Sequence, residues 1–156
     1  MPVELALYQP DIAQNTGTLL RLGACLGVTV HIIHPTGFVF SRRELKRSGL
    51  DYLDQSEIVE HDSYGHFDAT RRAAGKRLVL LTTKSSHSAY AASYDSDDIL
   101  MVGRETAGVP DDVAASVDLR VRIPMRSGLR SINVAVAAAL IVGEAMRQTK
   151  GFASLT

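Results

Sequence analysis

The sequence predicts an α/β protein with a mainly parallel, six-stranded sheet flanked by helices. Three observations carry that expectation. Apolar runs of strand length alternate with helix-like stretches about six times along the 156 residues. The runs at 78–81 and 99–102 are continuously apolar, as strands buried on both faces are. Hydrophobic content is 46% against only 6% aromatic, so the core is built from Val, Leu, Ile and Ala. That length fits one domain over residues 1–156.

Residues 3–8 read as the first strand. Asn15 or Thr16 then caps a helix that runs to Leu26. The β-branched stretch 28–33 is the second strand, and Pro35-Thr36-Gly37 turns the chain. Ser41-Arg42-Arg43-Glu44 has capping-box spacing, which starts a short helix at Ser41; Gly49 ends it. Residues 56–60 form a short strand, and 63–74 a helix closed by Gly75. Two buried strands follow at 77–82 and 99–102. Pro110 with Asp111 and Asp112 opens a helix, because proline suits the first turn and acids suit the positive end. Residues 119–123 are the last strand and 131–147 the last helix, with a loose tail from Thr149.

The last helix has no polar face between Val134 and Val142. A helix apolar all round is buried on all sides. In so small a chain this predicts a homodimer whose second subunit covers the helix; a central helix inside one subunit is the alternative.

Composition narrows the function classes. The single cysteine excludes an internal disulfide and points to a reducing compartment. Cys25, within Leu-Gly-Ala-Cys-Leu-Gly, is read as core packing. Met1-Pro2-Val3-Glu4 lacks the basic start of a leader, and the apolar stretch 134–143 falls short of the ~20 residues that span a bilayer. A cytoplasmic protein with no membrane partner is expected. Seventeen basic and seventeen acidic residues give no net charge, unlike most nucleic-acid binders. Yet Arg42, Arg43, Lys46 and Arg47 stand at i, i+4 spacing, so one helix side is basic, and Arg126 and Arg130 flank a later loop. These six cations are candidate phosphate ligands, or a solvated face. Histidines 31, 34, 61, 66 and 87 lack zinc-type spacing, so no metal is expected.

The chemistry sits in four short segments, and three of them follow strand-like runs in the last third. These are Gly103-Arg104-Glu105-Thr106-Ala107-Gly108, Ile123-Pro124-Met125 and Arg130-Ser131-Ile132-Asn133; the fourth is Asn15-Thr16-Gly17 with Arg21 after it. Strand ends are where α/β proteins bind ligands. The order matches neither a dinucleotide fingerprint nor a P-loop, and it points to an adenine-bearing ligand held by backbone groups. Glycine at 103 allows close backbone approach to a flat base. Ser131, read as an N-cap, offers a hydroxyl beside free N–H groups. Leu81 and Ile123, read without further context, are strand core.

Together these segments resemble the three motifs of the SPOUT methyltransferases, and among them the small bacterial tRNA 2′-O-methyltransferases that act on the wobble nucleotide. Leu5-Ala6-Leu7-Tyr8-Gln9-Pro10, Arg47-Ser48-Gly49-Leu50-Asp51-Tyr52 and Leu81-Thr82-Thr83-Lys84 extend the likeness over nearly the whole chain. The resemblance implies a deep C-terminal trefoil knot, a homodimer and S-adenosylmethionine as cofactor. It implies cofactor contacts from Leu81, Gly103, Ile123 and Ser131, and catalytic roles for Arg21, Asn15, Glu105 and Asn133. Asn15 then bonds Arg21 or the ribose, Glu105 anchors Arg21 or a backbone amide, and Asn133 orients the hydroxyl or Glu105; each is otherwise a local cap or ion pair. A guanidinium holds its proton, so Arg21 is read as a clamp on the phosphate beside the target ribose rather than as a base. Position 34 of leucine tRNAs is the expected target. Another tRNA or ribosomal RNA site, or a non-catalytic RNA-binding module, are the alternatives.

Overall fold

A computed structural model describes residues 2–47 and 55–156, apart from the side chains of Lys46 and Arg47. Six strands form one parallel sheet: β1 (Glu4–Tyr8), β2 (Val30–Ile33), β3 (Ile58–His61), β4 (Arg77–Leu81), β5 (Asp98–Val102) and β6 (Leu119–Val121). Their spatial order is β3-β2-β1-β5-β4-β6, every neighbouring pair parallel. The helices are α1 (Ala13–Leu26), α2 (Arg42–Arg47), α3 (Tyr64–Ala73), α4 (Asp111–Ser116) and α5 (Val134–Thr149).

Strand alternation sorts the core into two layers. Leu5, Leu7, Val30, Ile32, Val79 and Leu100 face α1 and α5. Ala6, Tyr8, Ile33, Leu78, Leu80, Ile99 and Met101 face Phe67 of α3 and Val113 of α4. All of β5 is buried, Asp98 included, and Asp98 is paired with Arg77 at 2.6 Å. The strand order reverses between β1 and β5. In open α/β sheets such a switch point opens a crevice beyond the strands' C-terminal ends.

Helix starts depart from expectation in two places. Neither Asn15 nor Thr16 caps α1: the N-cap is Ile12, without a side-chain bond, and Thr16 N–H already donates to Ile12 O at 3.2 Å. Neither does Ser131 start the last helix. Asn133 caps it, its Oδ1 accepting from Ala135 N–H at 2.8 Å and Val136 N–H at 3.2 Å. Ser41 does begin α2, accepting from Glu44 N–H at 3.3 Å, while Gly49, expected to end it, lies outside the described residues. The strands expected at 28–33, 56–60 and 119–123 are trimmed or shifted by one to two residues.

Cys25 is exposed rather than packed in the core. The buried side of α1 is Thr16, Gly17, Leu19, Leu20 and Gly23, and at 100° per residue position 25 falls away from it. Gly23 has no room for a side chain, since a Cβ there would stand 2.6 Å from a Val30 methyl. α5 is not enclosed by its own chain either. Ala138, Ile141, Val142, Ala145 and Met146 are buried, but Val136 is 53% and Leu140 40% exposed.

The C-terminal segment runs closely past the 82–97 connection. Arg122 N–H donates to His87 O at 2.8 Å and Arg122 O accepts from Ala89 N–H at 2.7 Å. Further on, Gln148 Oε1 accepts from Tyr94 N–H at 2.9 Å and its Nε2 donates to Ala92 O. No helix among the described residues is long and apolar enough to cross a membrane.

Candidate active site

A cleft of about 1320 Å³ opens beyond the C-terminal ends of β5, β4 and β6, with Ile12 and Asn15 from the start of α1 on its border. Leu81, Gly103, Ile123 and Ser131 line it, and so do Asn15, Glu105 and Asn133. Residues from five separate segments therefore meet at one place, beyond the strand ends where α/β sheets bind ligands.

The loop Gly103–Gly108, the second glycine loop of the site after the glycine segment Asn15-Thr16-Gly17, is folded back on itself. Arg104 N–H donates to Gly108 O at 3.1 Å and Gly108 N–H to Arg104 O at 2.9 Å. Gly103 must be glycine, because a Cβ there would lie 2.8 Å from the Gly108 carbonyl carbon. Gly108 itself sits at φ 61°, in the left-handed region. Arg104 Nε donates to Gly108 O at 2.9 Å, and its guanidinium stands over the Tyr8 ring.

The tip of this loop is tied to the β1–α1 connection. Asp11 N–H donates to Glu105 Oε2 at 3.0 Å, and Glu105 N–H donates to Asp11 Oδ1 at 3.1 Å. Thr106 Oγ1 donates to Asp11 Oδ2. Glu105 thus holds a backbone amide, one of the two roles expected for it, and the amide is that of Asp11. Burial pushes the Glu105 carboxyl up, and its hydrogen-bonded neighbour Asp11 pushes it further. Asp11 is held below the usual carboxylate range, first by its hydrogen bond with Glu105.

Asn133 does two things at once. Its oxygen caps α5, and its Nδ2 donates to Asn15 Oδ1 at 3.1 Å. The first turn of α1 and the first turn of α5 are thereby joined across 118 residues. Leu81 is half-buried and Ile123 only 8% exposed, so both are core residues with an edge on the cleft. Ser131 is exposed two positions before the cap.

Arg21 is not brought to the cleft within one subunit. It is exposed on α1, six residues after Asn15, and six steps of 100° place it some 120° around the helix from Asn15. The six candidate phosphate ligands are spread out. Arg42 donates to Ile58 O at 2.8 Å and stands 3.8 Å from Glu60, at the β3 edge of the sheet. Arg43 is exposed beside it, and the side chains of Lys46 and Arg47 lie outside the described residues. Arg126 and Arg130 are exposed in the segment between β6 and α5, which runs on to the cleft residues Ser131 and Asn133.

Asp11 and Thr106 carry the loop tie and were not singled out by sequence; a pairing 94 residues apart leaves no local signal. The histidines form local contacts: His31 bonds Glu4 at 2.7 Å and His61 at 2.9 Å, and His34 bonds Glu60 at 2.8 Å. Burial, then the neighbouring His31 and His66, push His61 down to about 4. Among the described residues no three His, Cys, Asp or Glu side chains are grouped to hold a metal ion.

The chain is similar to known proteins over nearly its whole length. A protein from Beijerinckia indica named tRNA (cytidine(34)-2′-O)-methyltransferase is 54% identical over 151 residues, 97% of this chain and 94% of that protein. The Escherichia coli K12 protein of the same name is 38% identical, over 94% of this chain and 93% of its own length. A solved structure described as "Structural insights into the 2-OH methylation of C/U34 on tRNA" superposes with a TM-score of 0.87 at 38% identity, covering 96% of this chain and 97% of the other. An AdoMet-bound rRNA methyltransferase from Sinorhizobium meliloti gives a TM-score of 0.83 at 26% identity over 94% of this chain and 56% of its own. The SpoU rRNA methylase family model matches residues 2–143, and the chain belongs to that family.

Proposed function

We propose that this chain transfers a methyl group from S-adenosylmethionine to the ribose 2′-hydroxyl of nucleotide 34 of tRNA, in leucine isoacceptors. The observation that carries it is the meeting of Asn15, Glu105 and Asn133 with Leu81, Gly103, Ile123 and Ser131 around one cleft. The name tRNA (cytidine(34)-2′-O)-methyltransferase, carried by the Beijerinckia indica and Escherichia coli relatives, supports the reaction and the nucleotide.

The cleft suits the cofactor. Its volume exceeds the few hundred Å³ typical of a cofactor-sized ligand site. Leu81 and Ile123 offer apolar edges to an adenine ring, the glycine loop offers backbone at close range, and Ser131 offers a hydroxyl. When bound, the sulfonium supplies a methyl group with a good leaving group already attached, so the protein's task is positioning.

Asn15 and Asn133, locked to each other, orient the ribose hydroxyl. Glu105 holds the second loop in place through Asp11. Arg21 clamps the phosphate next to the target ribose, since a guanidinium keeps its proton and cannot act as base. The hydroxyl proton leaves to that phosphate or to water. Arg42, Arg43, Lys46, Arg47, Arg126 and Arg130 bind further phosphates.

The chain works as a single domain in a cytoplasmic homodimer, with Val136 and Leu140 of α5 against the second copy; two copies join their separated cations into one tRNA surface. Its C-terminal segment is threaded into a trefoil knot, a reading supported by the contacts of Arg122 and Gln148 with the 82–97 connection. The test is tritiated methyl transfer from S-adenosylmethionine into total tRNA and, separately, into ribosomal RNA, followed by nucleotide mapping. Label confined to ribose 34 of leucine tRNAs agrees; label at another tRNA site or only in ribosomal RNA assigns a different target, and no label overturns the enzyme reading.

A further inference from the structure

Asp11 does not line the cleft, yet three groups of the second glycine loop's tip converge on it. Its carboxylate accepts the Glu105 amide and the Thr106 hydroxyl, and its own amide is held by the Glu105 carboxylate. Among the described residues no other hydrogen-bonding partner outside the loop is found for residues 105–106. Asp11 is itself braced from the far side. Gly37 N–H donates to Pro10 O at 2.9 Å, and a Cβ on Gly37 would stand 2.6 Å from the Asp11 Cβ. A backbone pressed this closely leaves Asp11 little freedom.

The tie spans the switch point, where β1 and β5 are neighbours in the sheet. On one side is the loop that begins at Gly103, part of the proposed adenosine pocket. On the other is the start of α1, which carries Asn15 four residues later. The two halves of the cleft have no covalent reason to keep their spacing. Methyl transfer is sensitive to such spacing, because in-line approach tolerates little displacement.

We propose that Asp11 is a positioning residue for methyl transfer: its carboxylate fixes the tip of the second glycine loop against the start of α1, and so sets the cofactor pocket in register with Asn15. The inference rests on the cofactor-site reading above. It predicts that Asp11 governs both cofactor affinity and turnover at saturating cofactor, without touching either ligand.

Two variants separate this from a general structural role. Asp11→Ala removes both acceptors and leaves the Glu105 amide and Thr106 hydroxyl unpaired. Asp11→Asn keeps an oxygen for the Glu105 amide, and its amide group can donate to the Thr106 oxygen, so the tie is rebuilt without charge. Calorimetry with S-adenosylhomocysteine and steady-state methylation of tRNA are run on the full chain, with Tm measured alongside. For Asp11→Ala the expected result is cofactor binding weakened roughly tenfold and kcat lowered roughly tenfold at saturating cofactor, the loss of charge-assisted bonds being of that size. Asp11→Asn is expected within about threefold of the parent on both, as conservative rescue of the tie requires. Thr106→Val, which removes one donor and opens no cavity, should fall between them.

The proposal is overturned if Asp11→Ala matches the parent in affinity and kcat. It is equally overturned if Asp11→Asn falls as far as Asp11→Ala, or if Asp11→Ala raises KM for cofactor with kcat unchanged. Failure of the underlying reading looks different: there the unsubstituted chain itself neither binds S-adenosylhomocysteine nor methylates tRNA.

Discussion

Asp11 and Glu105 stand 94 residues apart and exchange backbone amides, each carboxylate accepting the other residue's N–H at 3.0 to 3.1 Å. Two acids held this closely do not titrate independently. Glu105 is pushed above 4.5 by burial and then by Asp11, so it holds its proton more tightly in the fold than in the unfolded chain. Its contribution to stability is present below about pH 4.5 and is lost as pH rises through the raised value. Asp11 runs the other way, contributing above about 3.8 and losing that as pH falls through its lowered value. Glu105→Gln mimics the protonated form. Its Tm should exceed the parent's at pH 8 by roughly 2–4 °C, for a solvent-screened interaction of about 1 kcal/mol. The gain should vanish near pH 4. A Tm difference independent of pH contradicts this account.

Asn133 offers a clean separation of cap from site. Asn133→Asp keeps an oxygen for the Ala135 and Val136 amides but cannot donate to Asn15. Its Tm should stay within about 2 °C of the parent, since both residues cap well. Its kcat should drop on the order of 10²-fold, as displaced reacting groups do. Asn133→Ala should lose the cap too, at about 1 kcal/mol. Thermal melts and steady-state kinetics on the two variants check this; equal kcat in Asn133→Asp and parent would remove the Asn15 contact from the mechanism.

Arg42 and Arg43 differ in what they can give to RNA. Arg42 is engaged with Ile58 O and Glu60, whereas Arg43 is exposed. The double change to Ala should weaken tRNA binding and reduce the slope of log K against log salt by about 0.7 per lost contact with single-stranded phosphate. Arg43→Ala alone should account for the larger part. Titrations at several salt concentrations measure it, with cofactor affinity unchanged as the control; an unaltered slope removes both residues from the RNA surface.

The uncovered side of α5 predicts assembly. Val136 and Leu140 stay 53% and 40% exposed in one subunit. Leu140→Glu should shift the chain to a monomer in sedimentation velocity and lower methyl transfer at least roughly tenfold, because a charge is excluded from an apolar contact. An unchanged sedimentation coefficient places the dimer contact elsewhere.

The fold was largely legible in the sequence, and the reason is periodicity. The apolar runs at Leu78–Leu81 and Ile99–Val102 became the neighbouring interior strands β4 and β5 because parallel strands are buried on both faces. Ser41 marked a helix start by local capping chemistry, and it accepts the expected Glu44 amide. What failed was phase and long range. Cys25 sits in an apolar context but on the outer side of α1, which only packing decides. Ile12 caps α1 without a side-chain bond, so no residue type announced it. Ser131 and Asn133 were both plausible caps, and geometry chose the one that also reaches Asn15. The cleft residues came from resemblance rather than pattern: Leu81 and Ile123 look like core, and in large part they are. Asp11 left no sequence signal, since its partners come from a loop 94 residues on.

The central claim is that three separated loops aim a sulfonium-borne methyl at one RNA sugar oxygen. The direct test is methylation of an anticodon stem-loop with ribose at position 34, against the same molecule carrying 2′-deoxyribose there alone. The account predicts label from S-adenosylmethionine in the first and none in the second. Equal labelling of the two would place the accepted methyl somewhere other than that hydroxyl and contradict the account.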